Sequence, residues 1–273
     1  MAEEASWAAS LLPESSPWRP AAGLLAGIAH HVAGDSHAAA RELDEAAHRS
    51  AVSAPAVHAL CLAQLAVLAL DRDDVAHAEL LGARARAQVD RHGLVEYAPM
   101  ALVFAVSSVV RAGRGSIAAA KEDMRTALRL RDALTGLPAW GSAEVDLLVA
   151  RTALRLGDGA RARALAADCA RRIEGDPDAE GLRRTLGELQ ARVEAFADSE
   201  AAPAVALTTA ELRTLRYLPS HLSFREIAAE TYVTMNTVKT HAHSVYRKLD
   251  VRSRSEAVAR ARSCGLLEAP HPG

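Results

Sequence analysis

The sequence predicts an all-α protein in which an array of helical repeats is followed by a small four-helix domain. Half of the 273 residues are apolar, but only 4% are aromatic, and the apolar residues are mostly Ala, Leu and Val. Alanine has the highest intrinsic helix propensity, so this composition favours helices over strands. Gly- and Asp-rich turns recur along the first part of the chain, and residues 207–267 carry several helix-start signatures in close succession.

Composition also limits the class of protein. A length of 273 residues corresponds to roughly two domains. Cys61, Cys169 and Cys264 lie far apart in the sequence, which argues against a disulfide framework and against a zinc site. The longest apolar stretch, residues 59–70, is too short to span a bilayer, and the acidic start does not resemble a signal peptide. We therefore expect a reduced, cytoplasmic protein that is not bound to a membrane.

From residue 21 onward, one pattern recurs: an Ala- and Leu-rich helix, a short Gly or Asp turn, and a more charged helix. Gly and Asp end helices because they tolerate left-handed and turn conformations. The intervals between successive turns are 38, 41 and 44 residues. The four turns lie at residues 34–35, 71–74, 113–115 and 157–159.

Small residues cluster after each of these turns, which lets the paired helices approach closely. In this pattern, residues 21–174 resemble divergent tetratricopeptide-like repeats, in which stacked helix pairs bury a continuous core. A further helix over residues 179–197 is expected to cap the stack. The alternative interpretation is an irregular all-α domain without true repeats.

These features divide the chain into five predicted segments. Residues 1–20 contain three prolines and no helical pattern, so we expect a flexible arm there. Residues 21–198 form a helical-repeat domain with a sensing or interaction role. Residues 199–206 have the small residues and proline of a linker. A carboxy-terminal domain follows over residues 207–268, with a short tail at 269–273.

The net charge of −2 hides an asymmetry between these segments. Residues 207–273 contain ten Arg and Lys residues against six Asp and Glu residues, a balance of +4, which leaves −6 for the rest of the chain. A basic module beside an acidic body is a common layout among DNA-binding proteins, although this balance alone is a weak indication.

Four helix starts are predicted in the carboxy-terminal domain. In a capping box, a Ser or Thr hydroxyl and a Glu three residues later satisfy the first free backbone N–H groups of a helix reciprocally. Thr234 is expected to cap a further helix by its hydroxyl alone. The three capping-box pairs are Thr208 with Glu211, Ser223 with Glu226, and Ser253 with Glu256.

The second and third of these helices have apolar inner faces at helical spacing. The inner residues are Phe224, Ile227, Ala228 and Thr231 in the second helix, and Val238, Ala242, Val245 and Leu249 in the third. The opposite face of the third helix carries Asn236, Lys239, Thr240, His243 and Arg247. Such a face suits a DNA major groove, because its cations neutralise phosphates and its polar side chains reach base edges.

Several separated motifs in residues 207–267 fall at a spacing typical of a known family. They are Leu207-Thr208-x-x-Glu211, Arg225-Glu226-Ile227-Ala228, Asn236-Thr237-Val238-Lys239-Thr240-His241, Tyr246-Arg247-Lys248-Leu249 and Arg254-Ser255-Glu256-Ala257-Val258. With these motifs, the segment resembles the LuxR-type helix-turn-helix domain. The resemblance implies a third helix that enters the major groove and a fourth that often pairs two copies on an inverted repeat. We therefore expect double-stranded DNA as a partner and a homodimer when DNA is bound.

The same resemblance assigns roles to individual residues. Carried over by position, the contacts to base edges are Lys239, Thr240 and His243. The contacts to phosphates are Arg225, Thr234, Asn236, Thr237, Arg247 and Lys248. Glu226 is expected to be structural and to pair inside the domain with Arg252 or Arg254.

Three positions depart from the pattern of the family. His221 and Asp250 stand where many members have a Gly in the left-handed conformation, which His and Asp adopt at a cost of ~1 kcal/mol. Thr231 stands where a core Leu is usual, and it leaves a smaller, partly polar contact. We expect the domain to keep its fold with some loss of stability.

The remainder of the chain lacks the parts that usually switch such a domain. Neither a phosphoacceptor receiver nor a P-loop is apparent, and the layout resembles the carboxy-terminal end of MalT-like regulators without their ATPase portion. No catalytic constellation, cofactor site or metal site is apparent, so we expect a protein that is not an enzyme.

The sequence therefore predicts a sequence-specific DNA-binding transcription regulator whose amino-terminal repeats receive a signal from a protein or a small ligand. The alternative is a protein-interaction scaffold in which the carboxy-terminal domain mainly dimerises the chain or is a relic. The row of exposed cations and the intact helix caps favour the regulator.

Overall fold

The structure is a computed structural model, and it describes residues 2–134, 138–201, 207–220, 222–231, 233–263 and 266–267. All regular secondary structure in these residues is helical, in fourteen α-helices and one short 3-10 helix. This confirms the predicted all-α class. The chain divides into two compact units, an amino-terminal unit over Met1–Ser199 and a carboxy-terminal unit over Glu200–Gly273.

Ten helices belong to the amino-terminal unit or begin in it. They are α1 (Ala2–Leu11), α2 (Arg19–Ala33), α3 (Ser36–Ser50), α4 (Pro55–Asp71), α5 (Val75–Arg91), α6 (Ala101–Gly113), α7 (Ile117–Asp132), α8 (Ala139–Arg155), α9 (Gly159–Arg172) and α10 (Glu180–Ala201). The 3-10 helix, Ala98–Met100, precedes α6. A bilayer-spanning segment, which needs about 20 apolar residues, is absent from the helices that the structure describes.

The four predicted turns join α2 to α3, α4 to α5, α6 to α7 and α8 to α9, and they share one geometry. The left-handed residues in these turns are Gly34, Asp73, Gly115 and Gly157. In each turn, the next backbone N–H closes the preceding helix by bonding to a carbonyl five residues earlier, as in a Schellman motif. These bonds run from Asp35 to His30, Asp74 to Ala69, Ser116 to Arg111 and Asp158 to Ala153, at 2.8–2.9 Å.

The helix after each turn brings a small residue into the core at an equivalent place. Five positions after each left-handed residue stands an alanine with no solvent exposure: Ala39, Ala78, Ala120 and Ala162. The absence of a longer side chain lets the two helices of each pair approach closely. The left-handed residues are 39, 42 and 42 positions apart, a more even interval than the turn positions alone indicated. The same type of helical hairpin therefore occurs four times in this unit. The likeness to tetratricopeptide repeats stays a prediction.

The prediction that residues 1–20 have no helix is wrong, because Ala2–Leu11 forms α1. The prolines stand after this helix, so they end it without interrupting it, and the Ala-rich segment before them favours a helix. Tertiary contacts then hold α1 in place. The Ser6 hydroxyl lies 3.0 Å from Nε2 of His30 on α2, and a guanidinium nitrogen of Arg19 donates to the Leu12 carbonyl at 2.7 Å.

Helix α10 packs against the first hairpin. A side chain at Gly181 would place its Cβ 2.4 Å from the His31 carbonyl oxygen, so the close approach requires glycine there. Leu182, Leu186 and Leu189 are buried in the core of the unit. A helix is present where the sequence predicted one, but its contact with the first hairpin does not show that it caps the end of the stack. Helix α10 also continues to Ala201, into the segment expected to be a linker. Residues 202–206 of that segment lie outside the described residues.

A buried polar cluster joins helices that are distant in sequence. His31 on α2 lies 3.2 Å from a carboxylate oxygen of Asp71 on α4 and 3.1 Å from one of Glu144 on α8. Gln64 on α4 donates to Glu144 at 2.7 Å. Burial by itself lowers the pKa of His31, but the hydrogen bond with Asp71 and the negative charges of Asp71 and Glu144 outweigh it and raise the pKa to about 10. The imidazole is therefore a buried cation at neutral pH.

A second buried charge pairs α8 with its neighbours. Asp146 is fully buried and accepts hydrogen bonds from Arg131 on α7 and from Arg172 on α9, the latter at 2.9 Å. Burial raises the pKa of Asp146 even though two guanidinium groups lie against it. Since an unpaired buried charge is costly, these bonds favour one arrangement of α7, α8 and α9.

The carboxy-terminal unit contains four shorter helices. They are α11 (Thr209–Tyr217), α12 (Phe224–Thr231), α13 (Met235–Lys248) and α14 (Arg254–Ser263). Their buried apolar residues are Leu215, Leu218, Ile227, Ala228, Val238, Ala242, Val245, Leu249, Ala257 and Ala261. The predicted inner faces of α12 and α13 are therefore confirmed. Thr231 is also buried, and its hydroxyl donates to the Ile227 carbonyl at 2.6 Å, so its polar group has a partner.

Candidate nucleic-acid interface

Two of the predicted capping boxes form reciprocally. The Thr208 N–H donates to the Glu211 carboxylate at 2.6 Å, and the Glu211 N–H donates to the Thr208 hydroxyl at 3.3 Å. The Ser223 N–H donates to the Glu226 carboxylate at 2.8 Å, and the Glu226 N–H donates back to the Ser223 hydroxyl at 3.4 Å. Local sequence therefore supplies the caps at the starts of α11 and α12.

The third capping box differs by one residue. The Glu256 N–H donates to the Ser253 hydroxyl at 3.2 Å, as predicted. The Glu256 carboxylate, however, accepts at 2.9 Å from the backbone N–H of Arg252, one residue before the predicted partner Ser253. Its pKa is lowered mainly by this backbone hydrogen bond.

Thr234 caps α13, the helix with the predicted DNA-reading face. Its hydroxyl accepts from the Thr237 N–H at 3.2 Å and lies 2.8 Å from the Thr237 hydroxyl. The cap leaves other N–H groups of the first turn open at an exposed helix start. Because these groups and the helix dipole are partially positive, this end of α13 favours an anion such as a phosphate.

Helix α13 separates its apolar and polar residues onto opposite faces. Val238, Ala242 and Val245 have no solvent exposure. The other face lines a shallow depression of about 380 Å³. Its lining residues are Asn236, Lys239, Thr240, His243, Ser244 and Arg247. The structure therefore brings the three predicted base contacts together with two predicted phosphate contacts, and it adds Ser244, which sequence reasoning missed.

Hydrogen bonds within α13 determine what the predicted base contacts can offer. The Thr240 hydroxyl donates to the Asn236 carbonyl at 2.9 Å, so its remaining capacity is to accept. Nδ1 of His243 lies 3.0 Å from the Lys239 carbonyl oxygen. A carbonyl can only accept, so Nδ1 carries the proton and Nε2 is directed away from that bond. The Lys239 side chain is exposed, which leaves its ammonium accessible to a ligand.

The predicted phosphate contacts fall into two groups. Arg225, Thr234, Asn236 and Arg247 are exposed, and Thr237 is partly exposed. Lys248 differs, because its ammonium donates to the Glu211 carboxylate at 2.6 Å. This pairing inside the unit opposes the expectation that Lys248 is available to a phosphate. The expectation came from position in the family motif, which does not include the partner on α11.

Glu211 joins α11 to α13, a role that sequence reasoning missed. Besides the Lys248 bond, its carboxylate accepts from the Ser244 hydroxyl at 2.6 Å. The hydrogen bonds from Lys248, Ser244 and the Thr208 N–H lower the pKa of Glu211 to about 2. The capping box identified Glu211 as a local helix cap, but its partners on α13 are more than 30 residues away.

The predicted pairing of Glu226 with Arg252 or Arg254 is wrong. The Glu226 carboxylate accepts from Ser223, from its N–H and from its hydroxyl. Arg254 instead donates to backbone carbonyls at the end of α11 and in the following turn. Its acceptors are Leu218, Ser220 and Leu222 at 2.8 Å each, with Tyr217 at 3.4 Å. The last carbonyls of a helix have no partner within it, and a guanidinium with several donors satisfies them together.

Asp250 adopts the left-handed conformation expected from its place after α13, with a φ of 53°. The Val251 N–H that follows closes the helix on the Tyr246 carbonyl at 2.9 Å. His221 and Cys264, which the sequence also singled out, lie outside the described residues.

Outside this surface, the described residues include no set of three His, Cys, Asp or Glu side chains that could hold a metal ion. Cys61 and Cys169 are buried free thiols in the amino-terminal unit. Burial raises the pKa of each thiol to about 12, so neither is a thiolate at neutral pH.

Comparison with known proteins finds a likeness for the carboxy-terminal helices. Residues 205–261 match the model of bacterial regulatory proteins of the luxR family. The chain is 41% identical over 61 residues to a probable HTH-type transcriptional regulator, GfsR, of Streptomyces halstedii, which covers 22% of this chain and 25% of that protein. It is 36% identical over 62 residues to the response regulator protein VraR of Staphylococcus aureus, which covers 23% of this chain and 30% of that protein.

The matched segment therefore spans less than a third of either relative. Among solved structures, none matches this chain. The family model covers α11, α12, α13 and most of α14, the helices that build the surface described above. The carboxy-terminal unit of this chain therefore contains a helix-turn-helix domain of the luxR family.

Proposed function

We propose that this protein is a sequence-specific DNA-binding transcription regulator and that α13 enters the major groove. The observation that carries the proposal is the division of α13 into a buried apolar face and an exposed face with polar and cationic side chains. A major groove about 12 Å wide admits such a helix. The luxR-family match and the names of the two relatives support the same function.

In this proposal, phosphate contacts supply affinity and base contacts supply discrimination. Arg225, Thr234, Asn236, Thr237 and Arg247 contact phosphates at the two ends of the surface. Lys239, Thr240 and His243 lie between them and contact base edges. Each good base contact contributes ~1–3 kcal/mol of discrimination, and affinity falls steeply with salt because counterions are released.

Selection of bound sequences from a random DNA pool by the full chain tests the proposal. We expect one enriched site, and we expect Lys239→Ala to lower affinity for it by roughly tenfold or more, since a base contact and a charge are both lost. Lys121→Ala is the matched control, because Lys121 is an exposed lysine on α7 of the other unit. An unchanged affinity of the Lys239 variant would contradict the assignment of the reading face.

We further propose that two copies bind one site. A two-fold symmetric dimer reads an inverted repeat, so the selected site should contain two half-sites of opposite orientation. The family resemblance assigns the pairing to α14. A selected site with a single half-site, bound by one copy in analytical ultracentrifugation, would contradict the dimer.

We propose that residues 21–198 receive a signal and that the residues after the end of α10 at Ala201 link them to the DNA-binding domain at 207–268. Large apolar side chains exposed on and beside α1 and α2 favour a protein partner over a small ligand. They are Leu25 in this segment and Trp7, Leu11 and Trp18 in residues 1–20 before it, each more than half exposed. Beside the buried His31 cluster, by contrast, the cavity is only about 10 Å³, at the lower limit for one water molecule.

The same exposed apolar residues also fit the alternative function, a protein-interaction scaffold whose carboxy-terminal domain mainly dimerises the chain. The two functions differ in the DNA experiment. A full chain that binds every duplex equally would favour the scaffold, whereas an enriched site that requires Lys239 would favour the regulator.

A further inference from the structure

Three glutamates hold the same local position in the carboxy-terminal unit, at the third residue after a Thr or Ser helix cap. The hydrogen bonds of Glu226 and Glu256 stay within a few residues of their own caps. Glu211 makes the same cap and also reaches α13. The local motif is therefore repeated, while the tertiary contacts differ.

The Glu211 carboxylate holds one turn of α13 at two points. One oxygen accepts from the Ser244 hydroxyl, and the other accepts from the Lys248 ammonium, each at 2.6 Å. Residues four apart lie above one another on a helix, so the two bonds hold α13 along one edge. The second oxygen also accepts from the Thr208 N–H, which ties the carboxylate to the start of α11.

The turn of α13 that Glu211 holds, residues 244–248, lies beside the predicted DNA-reading face. His243 and Arg247 are the residues immediately before Ser244 and Lys248, and Ser244 lines the same depression as Lys239 and Thr240. Apolar packing of Leu215 against Val245 and Leu249 holds α11 and α13 together, but such contacts are not directional. The Glu211 bonds are short, partly buried and directional, so they restrict rotation of α13 about its own axis.

We infer that Glu211 is a positioning residue: by holding Ser244 and Lys248, it sets the rotation of α13 and so directs Lys239, Thr240 and His243 at the base edges. This inference rests on the proposed function of α13. The inference assigns Lys248 to the bond with Glu211 and not to a phosphate contact. Base contacts require accurate placement, whereas phosphate contacts by long side chains tolerate a small rotation.

The experiment measures the ratio of two affinities for the full chain, one for the selected site and one for an unrelated duplex. We expect Glu211→Gln to lower this ratio roughly tenfold, because two charge-assisted bonds are weakened. Ser244→Ala should lower it less, and the double variant should lose little more than Glu211→Gln alone, since both changes break one linkage. Glu226→Gln is the matched control and should leave the ratio within about twofold, because it perturbs a capping box without touching α13.

A role in stability alone predicts a different result. If Glu211→Gln only unfolds part of the population, both affinities fall in parallel and the ratio stays constant, which would overturn the inference. An equal fall of the ratio in the Glu226 variant would overturn it as well. Glu211→Asp, which keeps the charge on a shorter side chain, should restore part of the affinity ratio if the bonds to Ser244 and Lys248 depend on that charge.

Amide hydrogen exchange of the full chain without DNA separates this inference from the proposed function. We expect faster exchange in α13 around residues 244–248 for Glu211→Gln but not for Glu226→Gln. Unchanged exchange would show that Glu211 does not hold this turn of α13. A wild-type chain that selects no DNA sequence would contradict the proposed function. The inference that Glu211 directs base contacts would then be contradicted as well, even if hydrogen exchange shows that Glu211 holds α13.

Discussion

In the amino-terminal unit, Asp123 and Asp146 are buried against arginines of other helices, whereas in the carboxy-terminal unit Lys239 and Arg247 on α13 face solvent. Both units are built from helices with apolar inner faces, and several helix starts in each are capped by an Asp, Thr or Ser side chain. They differ in what their charged residues contact. The buried carboxylates of the first unit contact arginines of other helices, and most charges on the predicted DNA-reading face of the second unit remain accessible to a ligand.

This difference separates charges that stabilise one packing of the helices from charges that are available to bind a ligand. A buried ion pair costs desolvation free energy, so it favours the one packing that keeps it paired. An exposed cation costs little in the folded chain and retains its interaction energy for a phosphate. Glu211 and Lys248 combine the two cases, because their partly buried pair joins α11 to a helix whose cations Lys239 and Arg247 stay exposed.

Removal of a buried charge should have the largest effect. We expect Asp146→Ala to lower the free energy of unfolding of the amino-terminal unit by about 3 kcal/mol, because Arg131 and Arg172 both lose a fully buried carboxylate and Arg131 keeps only its bond to the exposed Asp132. Urea unfolding followed by tryptophan fluorescence measures this, since Trp7, Trp18 and Trp140 all lie in that unit. Asp168→Ala is the control, because its pair with Arg171 is exposed and should contribute less than about 1 kcal/mol. Equal effects of the two changes would break the comparison.

The buried imidazole should make the same unit sensitive to alkali. The pKa of His31 is raised to about 10 in the folded chain, above the ordinary value of 6.5. Its stabilising contribution is therefore complete below pH 6.5 and is lost as the pH rises to about 10, with a slope of up to ~1.4 kcal/mol per pH unit. Tryptophan fluorescence during urea unfolding at pH 7, 8 and 9 measures the slope. A His31→Gln variant with the wild-type slope would contradict the assignment.

The carboxy-terminal unit should respond to acid through Glu211. The pKa of this carboxyl is lowered to about 2, so its stabilising contribution is present above its ordinary pKa of 4.5 and is lost as the pH falls toward 2. We expect the NMR signals of α11 and α13 to report unfolding at a lower pH in the wild type than in Glu211→Gln. Coincident acid transitions of the two proteins would show that the Ser244 and Lys248 bonds do not stabilise the unit.

The smallest expected effect concerns a feature that the two units share. Asp73 in the second hairpin and Asp250 after α13 both have positive φ, at 59° and 53°. Glycine adopts this conformation without steric strain, so Asp73→Gly and Asp250→Gly should each stabilise their own unit by up to ~1 kcal/mol. Thermal unfolding of each variant measures this. Destabilisation by Asp250→Gly would mean that its side chain contributes more than the strain it causes.

Much of the fold was predictable because its signals are local. The four turns, the Thr208 and Ser223 capping boxes, the Thr234 cap and the inner faces of α12 and α13 depend on residues within a few positions of each other. The same locality explains the errors. The three prolines near the start predict a flexible arm, but Ala2–Leu11 ends before them and contacts α2, outside the local segment.

The candidate site divides in the same way. The exposed face of α13 follows from helical spacing within one segment, so the sequence by itself determined which of its residues share that face. The partners of Glu211, Arg254 and His31 lie 30 to more than 100 residues away, and the tertiary structure decided them. Helix period and capping are short-range properties of the backbone, whereas the pairing of buried charges depends on which helices pack together, and that depends on the free energy of the whole fold.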